Sequence, residues 1–124
     1  MAARVRAVAG DEARALVPEL AEILIDCVAG GASVSFMAPL GRDKAEAFWR
    51  GVAEDVARGG RILVVAEQDG RAVGTVQVIL AQPENQPHRA DIAKMLVHRR
   101  ARRGGIGAAL MAAAERAARA AGKT

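Results

Sequence analysis

No tyrosine occurs in this 124-residue sequence, and Phe36, Phe48 and Trp49 are its whole aromatic set. No phenol of this chain can therefore exchange a proton in a reaction, and flat surfaces for stacking nucleic-acid bases are scarce. A lone cysteine, Cys27, excludes an internal disulfide and suits a reducing compartment. Its apolar neighbours at helical spacing make it a small core residue rather than a nucleophile. The N-terminus lacks the basic-then-apolar order of a secretion signal, and no apolar run reaches membrane-spanning length. These absences describe a cytoplasmic chain without a membrane partner.

Acidic residues are nearly missing from one end. From Arg89 onward there are nine Lys and Arg against two Asp and Glu, a net of +7. Before Arg89 the count is nine against twelve, a net of −3, within an overall charge of +4. A basic C-terminal third implies a polyanionic partner, either a phosphate-bearing cofactor or a nucleic acid. The hydrophobic content of 52% is enough to build a core, and the length allows one domain, residues 1–124.

Alternation in Arg4-Val5-Arg6-Ala7-Val8 predicts a short strand. Asp11 is the expected cap of a helix whose apolar face carries Leu16, Leu20, Ile23, Leu24 and Cys27, ended by Gly30-Gly31. Residues 32–40 show no period and read as a loop, with Phe36 and Met37 either packing the helices or facing a substrate. A second helix follows over 43–58, with Ala45, Phe48, Trp49, Val52 and Val56 on one face. Strands over 62–66 and 72–80 flank Asp69-Gly70, a tight-turn signal, and residues 82–87 form a polar loop. A further strand covers 89–97, and an alanine-rich helix covers 105–121, closed by Gly122. The expected order is β-α-α-β-β-β-α, an α/β (α+β) domain with a mixed, mostly antiparallel sheet and flanking helices.

The informative stretch runs from Met95 to Ala108: a strand end, an arginine-rich turn, then glycines opening a helix. Helix N-termini carry unpaired N–H groups and partial positive charge, and Gly104, Gly105 and Gly107 let a pyrophosphate approach the backbone. Without the glycines, Arg99 to Arg103 would read as a solvated basic turn; with them, they read as phosphate ligands. A dinucleotide fingerprint needs a small residue where this chain has Leu110. A Walker loop ending at Gly122-Lys123-Thr124 would need glycine at Ala117, so it is rejected. His88 and His98 read as loop or surface residues.

The pattern Arg102-x-x-Gly105-x-Gly107 resembles the acetyl-coenzyme-A motif of the GNAT N-acetyltransferases, and Lys94-Met95-Leu96-Val97 resembles that family's fourth strand. Gly30 to Met37 and Arg89 to Lys94 are similar to the tabtoxin-resistance acetyltransferases within it. The resemblance implies transfer of an acetyl group from acetyl-CoA to the primary amine of a small molecule. It implies that Met95, Leu96 and Val97 pair with the pantetheine arm through their backbone. It further implies that Arg102, Arg103, Gly104, Gly105, Ile106, Gly107 and Ala108 wrap the pyrophosphate. Asp91 stands where close relatives carry glutamate, so it is the candidate proton acceptor; its other reading is a salt-bridge partner of Arg89 or Lys94. The leaving thiolate often takes its proton from a tyrosine in this family, and this chain has none.

Against the family's pattern, the chain ends where a fifth strand would begin, so the C-terminal strands are expected to be missing. The fourth strand would then be an apolar edge, favouring a homo-oligomer, and the chain alone would be inactive. The alternatives are a self-associating cofactor-binding fragment or a nucleic-acid-binding module. The shortage of aromatics and of basic clusters elsewhere argues against nucleic acid.

Overall fold

The computed structural model describes residues 3–30, 40–80, 91–101 and 104–121, and for Asp91 and Lys94 the backbone alone. The elements are β1 (Arg4–Val8), α1 (Gly10–Ala15), α2 (Val17–Ala29), α3 (Arg42–Arg58), β2 (Arg61–Gln68), β3 (Arg71–Ile79), β4 (Asp91–Val97), a 3-10 turn (Arg99–Ala101) and α4 (Ile106–Ala120). The order expected from the sequence is present with its first helix divided in two. Pro18 lies in the first turn of α2, where its missing N–H costs nothing, and the chain turns at Leu16 just before it. Asp11 is not the cap. Ala9 occupies that position without a side-chain bond, and Asp11 pairs with Arg14 at 2.7 Å within the first turn.

The sheet has the order β1-β2-β3-β4, antiparallel throughout. The β2–β3 hairpin turns at Asp69 and Gly70, whose φ values of 55° and 77° give the mirror-image turn that matches strand twist. Alternate residues of β2 feed two cores. Leu63 and Val65 join Leu20, Ile23, Leu24, Trp49 and Val52 under α1–α3. Val64 and Ala66 join Val76, Val78, Ile106, Leu110 and Ala114 under α4. Each large aliphatic side chain so buried contributes about 1.5–3 kcal/mol, and together they set the sheet between two helical layers.

Both ladders of β3 are interrupted. Ala72 faces Glu67 and Gly74 faces Ala66, so β3 carries one extra residue. Thr75 faces Leu96 while Gln77 faces Ala93, so Lys94 and Met95 together oppose Val76 and β4 bulges there. A bulge bends its strand and leaves local backbone groups outside the ladder. It falls in the strand that the sequence assigned to cofactor binding.

Candidate functional site

At the end of β4 the chain makes a compact, internally bonded reversal. The His98 N–H donates to Val73 O at 2.8 Å, the Ala101 N–H to His98 O at 2.9 Å, and the Gly104 N–H to Ala101 O at 3.4 Å. Ala101 is buried beneath this turn. Gly105 then caps α4 with φ +72°, a conformation that disfavours side chains, and no side chain bonds the helix end. Among the described residues, a Cβ on Gly105 would meet nothing within 4 Å, and one on Gly107 would meet only Met95 Sδ at 3.8 Å. The first amides of a fifteen-residue helix thus have no side-chain cap among these residues, and such amides are the groups that bind a phosphate.

Neighbouring side chains hold this helix end against the sheet. Ile106 and Leu110 are fully buried on β3, while Met95 and Val97 are half-buried on the same side. Leu96 points the other way, into the core beneath α1–α3. The structure therefore brings Met95, Leu96 and Val97 beside Gly104, Gly105, Ile106, Gly107 and Ala108. Among the described residues, β4 pairs only with β3, so its outer edge is open. Arg102 and Arg103 lie outside the described residues, as do His88, Arg89, Phe36 and Met37. Asp91 opens β4 opposite Ile79, with its side chain outside the description.

Sequence reasoning missed how the turn is held. Glu19, Glu22 and Asp26 form an acidic stripe on α2, and each carboxylate meets the β3 or turn backbone or an arginine next to it. Glu19 Oε1 accepts the Ala72 N–H at 2.7 Å. Glu22 accepts from Arg71 at 3.1 Å and from Arg100 at 3.4 Å. Asp26 accepts the backbone N–H of Arg99 at 2.9 Å and also its guanidinium. Arg99 and Arg100, read from the sequence as part of a phosphate-binding cluster, are ion-paired to α2. The spacing of acids at 19, 22 and 26 on one helix face was the available signal.

His98 lies in the loop between β4 and the 3-10 turn, with its side chain 13% exposed. The Arg100 N–H donates to Nδ1 at 3.2 Å, Arg100 Nη1 lies 3.4 Å from Nε2, and Nε2 is 3.8 Å from Asp26 Oδ1. Burial holds the His98 pKa below its ordinary value, against an opposing pull from Asp26. For Asp26, burial alone would raise the pKa, but the two bonds from Arg99 outweigh it and keep the carboxylate below its usual range.

An apolar groove of about 670 Å³, lined by Val8, Val56, Ile62, Leu80 and Ala117, lies at the other end of α4. Fifteen helical residues at 1.5 Å each put it roughly 20 Å from Gly105, too far to share a small reacting group. Among the described residues, no three His, Cys, Asp or Glu side chains gather as a metal site would require. No helix among them is long and apolar enough to cross a membrane.

Residues 17–124 match the acetyltransferase (GNAT) family. The chain belongs to that family. Its fold is similar to that of the PaiA N-acetyltransferase from Thermoplasma acidophilum, solved in complex with coenzyme A. The TM-score is 0.69 at 15% identity, over 98% of this chain and 75% of that one. A GNAT-family acetyltransferase from Streptococcus pneumoniae gives 0.70 at 20% identity, over 97% and 68%. An aminoglycoside acetyltransferase from an uncultured soil metagenomic sample, in complex with sisomicin, gives 0.69 at 15% identity, over 98% and 73%.

Proposed function

We propose that this chain binds acetyl-coenzyme A at the amino end of α4 and supports acetyl transfer to a primary amine of a small molecule. The observation that carries the reading is the helix end at Gly105, without a side-chain cap among the described residues and set beside the bulged strand β4. The amides of Ile106, Gly107 and Ala108 would hold pyrophosphate oxygens, with Arg102 and Arg103 adding charge. The outer side of β4 along Met95-Leu96-Val97, where no further strand pairs among the described residues, would meet the amide-bearing pantetheine arm as an added strand does.

Acetyl-coenzyme A supplies a thioester, which an amine attacks directly, forming the C–N bond as the C–S bond breaks. The amine must first lose a proton from an ammonium with pKa of roughly 10. Asp91 is the proposed acceptor, with a bridging water because its side chain is one methylene shorter than the glutamate of close relatives. A backbone N–H of β4 near the bulge would meet the developing oxyanion. The coenzyme A held by the Thermoplasma structure and the sisomicin held by the soil enzyme support the cosubstrate and a small-molecule amine acceptor.

Calorimetric titration of acetyl-coenzyme A into Gly105→Asp tests the reading. Aspartate tolerates positive φ and suits a helix N-terminus, so the fold should persist, yet its charge opposes a phosphate. Binding should be lost. Unchanged affinity in a folded Gly105→Asp variant would overturn the assignment, and binding of DNA in preference to the coenzyme would redirect it to nucleic acid.

A further inference from the structure

We infer that Asp26 is a positioning residue for the pyrophosphate turn: its carboxylate, held on α2, fixes the backbone from which the amides of α4 are aimed. The inference rests on the coenzyme reading of that turn.

Asp26 sits in the last full turn of α2, and its side chain is 8% exposed although its partner Arg99 is 61% exposed. The buried member of the pair is therefore the acid. One oxygen accepts the Arg99 N–H at 2.9 Å and the other accepts the Arg99 guanidinium. A carboxylate that takes both the backbone and the side chain of one residue fixes where that residue sits and which way it faces. Cys27, the next residue of α2, donates from Sγ to Val97 O at 3.5 Å. Glu22, one turn earlier, takes Arg100 at 3.4 Å. The last residue of β4 and the first two of the 3-10 turn are thus each tied to α2 by a separate contact.

From Arg99 the constraint passes forward through bonded backbone. His98 O accepts from Ala101, and Ala101 O accepts from Gly104, immediately before the helix cap at Gly105. Arg99 held by Asp26 is also an arginine held off the phosphates. Its positive charge is paired with Asp26, which reduces what it offers an anion and leaves more of the binding to the helix amides. Two outcomes of removing Asp26 are then opposed in sign. If position matters, the amides lose aim and affinity falls. If charge alone matters, Arg99 is released toward the anion and affinity rises.

The test compares acetyl-coenzyme A with acetyl-pantetheine, which lacks the pyrophosphate, by calorimetry on the wild-type chain, Asp26→Asn and Asp26→Glu. Circular dichroism confirms the fold of each. Asp26→Asn should weaken acetyl-coenzyme A by about tenfold and leave acetyl-pantetheine unchanged. Asp26→Glu keeps the ion pair and shifts the carboxylate by one methylene, so it retains the fold if the amide does not. It should weaken the coenzyme by about threefold or more. A general loss of structure would reduce both ligands together, and that result overturns the inference. So does coenzyme affinity equal to or above wild type in the folded variants. A wild-type chain that binds neither compound overturns the coenzyme reading itself, and this inference with it.

Discussion

Gly74 of β3 lies so close beneath Leu110 of α4 that a Cβ added to it would stand 3.1 Å from Leu110 Cδ1. The same atom would be 3.2 Å from both Ile106 Cγ2 and Leu96 O. One of those three neighbours is backbone, which cannot rotate away. The glycine therefore sets how near the first turns of α4 come to the sheet. Gly74→Ala should destabilise the domain by about 1–3 kcal/mol, as overpacking does. It should also weaken coenzyme binding by displacing the helix end. Urea unfolding measures the first effect and calorimetry the second; a Gly74→Ala variant as stable as wild type would show that α4 has slack on β3.

Stability should depend on pH through His98. Its folded pKa is depressed by burial, so the fold prefers the neutral ring. That preference is fully present above the ordinary value of 6.5 and is lost as pH falls through the lower folded value. Protonation would also displace the Arg100 N–H from Nδ1, while Asp26 and Glu22 favour the charged ring and Arg99 and Arg100 oppose it. Asp26, whose folded pKa is likewise lowered, adds a second loss beginning below its ordinary 3.8. Thermal unfolding between pH 7.5 and 5 should show a decline that His98→Asn abolishes. An identical slope in His98→Asn would assign the decline to other groups.

Asp91→Asn addresses the chemistry. In an active enzyme containing this sequence, turnover should fall by roughly 10²–10⁴-fold with little change in coenzyme affinity. The acidic limb of the pH–rate profile should flatten as well. Full activity in Asp91→Asn would leave Asp91 as a salt-bridge partner and send the search for the base elsewhere.

The outer edge of β4, which no strand covers among the described residues, predicts self-association. Ile92 on this strand is 37% exposed, and an unpaired apolar edge recruits a second strand. We expect the 124-residue chain to show a concentration-dependent dimer or larger species by light scattering. Ile92→Lys should return it toward monomer, because an edge charge blocks pairing without touching the core. A wild-type chain that stays monomeric across the concentration range would count against pairing at this edge.

Local chemistry sufficed for much of this molecule. Period-two and helical apolar patterns placed the strands and helices, because backbone geometry alone decides which side chains share a face. The glycines at 105 and 107 marked the turn proposed to hold the anion for the same reason: glycines at a helix end are a property of neighbouring residues. Distant residues settled the rest. The division of α1 from α2, the bulge opposite Val76 and the seat of α4 on Gly74 depend on which chain segments lie in contact. The pairing of Asp26 with Arg99 joins residues 73 positions apart. From the sequence, Arg99 and Arg100 were two more cations for a phosphate. Packing α2 against the end of β4 gave them carboxylate partners, Asp26 for Arg99 and Glu22 for Arg100, and the buried Asp26 requires a counter-charge.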